Sequence, residues 1–384
     1  MTDHSTAPSA VPSTAPRQSR IVGIVIDEGV PDIIAAALSK ELPVRLCQQV
    51  SDDVDWQVQV VNDPIGLDEN GRIPMVDLAR HYRSANNWDI VVLTTELPMR
   101  LGTVPLLADY NTEHCVALVS LPALGAVRRR QRLCGLVVQL IDHLAHHDSG
   151  LTLPDGRNTG DADLAARVGG FLVHGRHIAS PAPDADHHLA MPGISGRLRM
   201  LVGIVRANRP WRLVPSLQGA TAAAAATAAF ALFYSGIWPM AVTVHPARLA
   251  LISVMAILVM VVWFVSYNRL WDRPSSHRRS GEALLHNVSA VLTLAIGVTV
   301  MYVVLYLLTM LAAVSVIDLH FLQSQLGRPA GLADYARIVW LACSMGIMAG
   351  ALGSSFDSEE AVRRAAFSRR ERERQARHRP ESDT

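Results

Sequence analysis

The sequence predicts two structural classes in one chain: an α/β domain with a mostly parallel sheet covered by helices on both faces, followed by an all-α membrane domain of four helices. Three observations predict this. Over residues 21–148, short apolar β-branched runs alternate with stretches of helical periodicity. Over residues 213–356, four stretches lack Asp, Glu, Lys and Arg for long enough to cross about 30 Å of hydrocarbon at about 1.5 Å per residue. The charge is also divided between the parts. A formal net charge of +1 hides 22 acids against 14 bases in residues 20–190 and 11 acids against 20 bases in residues 191–384. Half of the 384 residues are hydrophobic and only 18 % are charged, against about 25 % in soluble domains, which argues against a single soluble globule.

Residues 1–20, rich in Ser, Thr, Ala and Pro and without the basic start and apolar core of a signal peptide, read as a disordered tail. IVGIVI at 21–26 is a strand apolar on both faces, as parallel sheets require. Asp27, Glu28 and Gly29 form a loop, and Pro31 and Asp32 suit the first turn of the helix that follows. The same grammar places strands at 56–61, 89–95 and 115–120 and helices at about 74–85 and 127–147. Residues 149–196, rich in Gly, Pro, Asp and His, predict a connector with one short helix near 161–173.

Residues 197–212 set Leu198, Leu201, Val202 and Val205 at helical spacing among Arg197, Arg199, Arg206, Arg209 and Arg212. Such a segment lies in the membrane interface, with Pro210 ending it and Trp211 at headgroup level. The four spans fall at about 216–238, 249–267, 288–316 and 338–356, with Trp238, Trp263, Trp271 and Trp340 near their ends as an aromatic belt. Residues 357–384 form a charged tail with Glu and Arg at helical spacing.

Arginine collects before the first span (five), between the second and third (four) and in the tail (eight); the other two connections hold Arg248 alone and Arg328 with Arg337. The positive-inside bias then predicts a plasma-membrane protein with both termini and the α/β domain in the cytoplasm. Expected partners are the bilayer with its anionic inner-leaflet lipids, an unidentified protein, and a second copy of the chain. The small-residue run ATAAAAATAA in the first span and Gly346, Gly350 and Ser354 in the fourth mark close helix contacts, within one bundle or between copies. No nucleic-acid partner is expected.

Four cysteines without paired spacing predict neither a disulfide framework nor a zinc knuckle. Open α/β sheets bind ligands at the carboxyl ends of their strands, where this chain carries Asp27, Glu28, Asp63, Thr94, Thr95, Glu96 and Ser120. That acidic, hydroxylic rim suits a cation, an amine or a protein partner better than a phosphate, and neither GxGxxG nor GxxxxGK[ST] follows any strand. As turn and helix-cap residues the same side chains would need no ligand. Seven of fifteen histidines fall between 143 and 188, and His143, His146 and His147 at i, i+3 and i+4 share a helix face able to hold zinc or another transition metal. Imidazoles finishing a helix carboxyl end are the favoured reading of that trio, and no cofactor is then expected.

In their order, LTTELPM, VALVSLPAL and LCGLVVQLIDHLAHH resemble archaemetzincin-type metalloproteases, whose zinc helix carries HExxH. In register this chain has Gln139, Leu140, Ile141, Asp142 and His143, so the resemblance implies a related scaffold without the first ligand or the glutamate base. ELPMR, TEHCVALVSLPALGA and HNVSAVLTLAIGVTVMYVVLYLLTMLAA resemble a family of bacterial membrane proteins of uncharacterised activity. That resemblance spans most of residues 20–356 and implies a cytoplasmic α/β domain with four membrane helices; it transfers no catalytic residue. The favoured function is therefore a ligand- or protein-binding α/β module held at the membrane. An enzyme, hydrolytic or metal-assisted, using the strand-end acids or His143 with His147 is the alternative. A path for a small neutral solute is third, because the spans contain no ionisable group of the kind that ion-coupled transport uses.

Overall fold

The computed structural model describes residues 18–28, 30–68, 72–101, 104–147, 176–179, 185–191, 193–212, 215, 217–267 and 280–354. Of the tail expected at 1–20, residues 1–17 lie outside the described residues, as do the tail at 357–384 and the helix expected near 161–173, whereas Gln18, Ser19 and Arg20 are not tail but begin the first strand, which pairs from Gln18 onward. Two compact units divide the chain: Met1–Asp68, Arg72–Glu96 and Leu106–Pro192 form the first, and Glu69–Gly71, Leu97–Pro105 and Gly193–Thr384 the second.

Up to residue 190 the order is β1 (Gln18–Ile26), α1 (Asp32–Gln49), β2 (Val54–Asn62), α2 (Met75–Asn86), β3 (Ile90–Thr95), β4 (Arg100–Leu101), β5 (Val104–Asn111), β6 (Val116–Ser120), α3 (Arg129–His147), β7 (Arg176–Ala179) and β8 (His187–Ala190), of which β4 and the first two residues of β5 fall in the second unit. The strands form one sheet in the order β2-β1-β3-β6-β5-β8-β7, with β4 paired to β5. β2, β1, β3 and β6 run parallel, whereas β5, β8 and β7 are antiparallel to their neighbours. The sheet is thus mixed, its parallel part confined to the strands that the apolar runs predicted. The expected connector supplies β7 and β8. Asp186 helps to hold this edge, since its carboxylate accepts from Thr112 N at 3.0 Å and Asn111 Nδ2 at 3.1 Å, next to the β5–β8 pairing.

Alternation along β1 sorts the layers. Val22 and Ile24 enter a core built with α1 and α3 from residues such as Leu38, Leu42, Val137, Leu140 and Leu144. Gly23 faces the other way, toward Trp88 and the α2 side. Helices therefore cover both faces, as the βαβ crossovers β1-α1-β2 and β2-α2-β3 demand when the second passes back across β1.

The second unit contains α4 (Ile194–Ala207), a 3-10 turn (Pro210–Arg212), α5 (Gln218–Phe233), α6 (Trp238–Thr243), α7 (Pro246–Tyr267), α8 (Ser280–Val316), α9 (Leu319–Leu326) and α10 (Leu332–Gly353). Among the described residues, three helical stretches, Pro246–Tyr267, Asn287–Val316 and Leu332–Gly353, are long and apolar enough to cross a membrane. A fourth exists if α5 and the segment Ser235–Thr243, bent by 78°, make one span. The large side chains exposed on α7 and α8, including Leu251, Val254, Leu258, Leu307 and Leu311, are those of a surface that meets hydrocarbon.

At two expected spans the helices have other bounds. The first is not a straight helix over 216–238. α5 has 16 residues, so it rises only about 24 Å before Tyr234 turns extended. The break is stabilised because Trp238 Nε1 donates to the Leu232 carbonyl at 3.0 Å, one of the acceptors left over at a helix end. Trp238 is thus buried structure and not a belt residue. The last span begins at Leu332, before 338, because its charges are neutralised locally. Asp334 accepts from Gly331 N at 3.0 Å and pairs with Arg328, and Arg337 donates to the Val242 carbonyl at 2.8 Å.

α10 lies along α5 with glycine against alanine. A Cβ on Gly346 would stand 2.5 Å from the Ala224 carbonyl oxygen, and one on Gly350 2.9 Å from that of Ala220. The expected small-residue contact exists, and Gly346 and Gly350 make it inside one chain. Ser354 Oγ donates to the Ala351 carbonyl of its own helix. Hydroxyls elsewhere in the bundle behave likewise: Thr293 bonds Ser289 O, Thr299 bonds Ala295 O and Ser344 bonds Trp340 O. Ser253, Tyr302 and Ser344 also meet one another at 2.9–3.1 Å, linking α7, α8 and α10.

Candidate functional site

Strand order reverses between β1 and β3, the place where open α/β sheets form a ligand crevice beyond their carboxyl ends. Register lines up the expected residues there in one row. Ile26 pairs with Asn62 and with Thr94, and Thr95 pairs with Ser120, so Asp63, Asp27, Thr95 and Ser120 follow one another across β2, β1, β3 and β6. Backbone bonds extend the rungs past the strands, with Asp63 N donating to Ile26 O at 3.1 Å and Asp27 N to Thr94 O at 3.0 Å.

The side chains are committed to that row. Thr95 Oγ1 donates to Asp27 Oδ2 at 2.9 Å, and the backbone N–H of Ile65 donates to Asp27 Oδ1 at 3.2 Å. Thr94 Oγ1 donates to the Val25 carbonyl at 3.0 Å. Asp27, Thr95, Glu96 and Ser120 are buried, Asp63 is half-buried and Glu28 is exposed. The sequence reading missed Tyr82, whose hydroxyl donates to Asp63 Oδ2 at 2.6 Å. Burial, then the hydrogen bond and charge of Asp63 and the charge of Asp27, hold the Tyr82 phenol well above its ordinary pKa. A signal for it existed: Met75, Val76, Ala79 and Tyr82 form the buried face of α2, and a buried phenol needs a hydrogen-bond partner.

Two carboxylates with a phenol and hydroxyls provide acceptors above all, so this crevice suits a donor or cation and repels an anion. Asp27→Asn is expected to lower unfolding stability by about 1–3 kcal/mol, because an amide can offer its oxygen to only one of the two donors. Thermal unfolding of the detergent-solubilised chain measures it, and Thr95→Val in the Asp27→Asn background should cost less than Thr95→Val alone.

Two rings of the histidine trio turn back on their own helix. His146 Nδ1 lies 2.6 Å from the Asp142 carbonyl and His147 Nδ1 2.9 Å from that of His143, so both engage the last turn of α3. The buried His143 ring meets Tyr110 edge-on at 5.1 Å and His147 at 4.4 Å. Among the described residues, no group of three or more His, Cys, Asp or Glu side chains could hold a metal ion.

On the opposite sheet face, His188 Nδ1 lies 2.6 Å from Asp109 Oδ1. Burial raises the Asp109 carboxyl above its ordinary pKa, opposed by the hydrogen bond and charge of His188. A carboxyl with a raised folded pKa favours folding while protonated, so its contribution is full below the ordinary carboxylate range and is lost as pH rises through the folded value. Unfolding midpoints followed upward from about pH 4 should therefore carry a declining component that Asp109→Asn removes and His188→Ala deepens. No protein-family model, curated protein or solved structure matches this chain.

Proposed function

We propose that this is a multi-pass plasma-membrane protein whose N-terminal α/β domain is a cytoplasmic ligand- or protein-binding module, its site lying at the carboxyl ends of β1 and β3. The observation that carries the reading is the row Asp63, Asp27, Thr95 and Ser120 at the strand-order reversal, with Tyr82 against Asp63. Its occupant is a donor-rich group: an amine, a cation or a basic protein segment. Glu28, exposed beside Asp27, and Glu96, directly after Thr95, supply further negative charge without being part of the Asp27–Thr95 bond.

Mass spectrometry of what co-purifies with the full-length protein tests this. Glu28→Gln with Glu96→Gln should deplete a bound species, with the unfolding midpoint followed alongside because Glu96 is buried. An unchanged set of co-purifying species would remove the site from this crevice, and a catalytic turnover abolished by the pair would favour an enzyme instead. Orientation is tested at Cys47, exposed on α1 while Cys115, Cys134 and Cys343 are buried. A membrane-impermeant maleimide should label Cys47 only after the cells are permeabilised.

A further inference from the structure

Helix α4 has two apolar faces. Gly196, Met200, Gly203 and Ala207 form its buried side, and Val205 is buried as well near the carboxyl end. Beyond that end, Asn208 Nδ2 donates to Thr293 Oγ1 of α8 at 3.1 Å, tying the helix to a candidate span. The other side carries Ile194, Leu198 and Val202, which are 75 %, 56 % and 46 % exposed, and Trp211 follows at 51 %. At about 100° per residue those three cover an arc of roughly 80°. Arg197 borders the arc on one side and Arg206 on the other, both exposed, with Arg199 beside Arg206. No Asp or Glu occurs in α4.

We propose that this outer face of α4 is seated in one leaflet of the bilayer and binds anionic phospholipid headgroups through its bordering arginines. The inference rests on the membrane reading above. Three things favour a lipid occupant over a protein. The helix is hydrogen-bonded to α8, a candidate span that itself exposes Val303, Leu307, Leu308 and Leu311. Aliphatic residues in the middle with a tryptophan at the end match the depth profile of a headgroup region. Arginines at both edges of a helix that contains no acid fit phosphates lying on either side of an immersed helix, and their aliphatic stems let the guanidinium groups reach outward.

The test uses the full-length chain reconstituted in vesicles, in a Cys47→Ser background, with a fluorescent probe attached at Leu198→Cys and, separately, at Leu251→Cys on exposed α7. Brominated acyl chains quench only on contact. The Leu198 probe should be quenched several-fold more strongly by brominated phosphatidylglycerol than by brominated phosphatidylcholine. Arg197→Gln and Arg206→Gln should each reduce that preference about fivefold, the equivalent of the attraction expected per basic residue near a charged surface. Equal quenching by the two lipids would overturn the headgroup recognition. An unquenched Leu198 probe beside a quenched Leu251 probe would overturn the seating and indicate that protein or water covers the face. If Leu251 is unquenched as well, the membrane reading falls and this inference with it.

Discussion

Gly346→Leu is expected to destroy the folded membrane unit, and Gly346→Ala to weaken it by about 1–3 kcal/mol, the range for forcing extra carbon into a filled contact. The nearest obstacle to a Cβ is the Ala224 carbonyl oxygen at 2.5 Å, with the Ala228 Cβ at 3.2 Å. Backbone cannot rotate aside, so α5 and α10 would have to separate along a contact that repeats at Gly350 and Gly353. This identity of the obstacle makes the prediction specific. Ala228→Gly should fail to rescue Gly346→Ala, because it clears the side chain and leaves the carbonyl. Met348→Leu, on the exposed side of the same helix, should be neutral. Resistance to unfolding in a titration of denaturing detergent measures all three. A Gly346→Leu protein as resistant as the parent would mean that α5 and α10 do not approach at this line.

What could be read from the sequence follows from which signals are local. β1, β3 and β6 are buried on both faces and bounded by turn residues, so their apolar runs announce them. β5 carries Pro105 and ends in Tyr110 and Asn111; only its pairing with β6 and β8 makes it a strand. β7 and β8, four residues each, lie in a His- and Pro-rich stretch with no periodicity to detect. In the second unit the absence of charge finds α7 and α8, but an uncharged run carries no information about straightness, so the turn after Phe233 was hidden. The same logic divides the candidate site. Asp27, Asp63, Thr95 and Ser120 were legible because strand ends are legible and parallel register then aligns them. Tyr82 was not, because it reaches Asp63 from a helix across a gap in sequence that only the crossover closes. The reason for a glycine in the middle of β1 is equally non-local: what stands against Gly23 is an aromatic ring that arrives from beyond α2.

That ring makes Gly23→Val the second large effect, expected at about 3–5 kcal/mol, comparable to removing a buried tryptophan. An ideal Cβ on Gly23 would lie 1.7 Å from Trp88 Cε3. No rotamer adjustment absorbs such an overlap, so Trp88 must leave its seat or β1 must shift in the middle of the sheet. Trp88 is buried, donates from Nε1 to Gln59 Oε1 at 2.8 Å, and stacks on Tyr82 with ring centroids 5.8 Å apart. Displacing it therefore loosens the same Tyr82 whose hydroxyl is held by Asp63 at the strand ends. Amide exchange in β1, β2 and β3 of the full-length protein should quicken, and any species bound at the crevice should weaken with it. The decisive comparison is a cycle with Trp88→Ala, which vacates the space. Gly23→Ala should cost markedly less in that background than alone, a coupling of about 0.5–3 kcal/mol. Additive costs would mean that glycine is required by the strand itself, whereas coupling assigns Gly23 to the tryptophan and makes α2, through Trp88 and Tyr82, the element that positions the crevice.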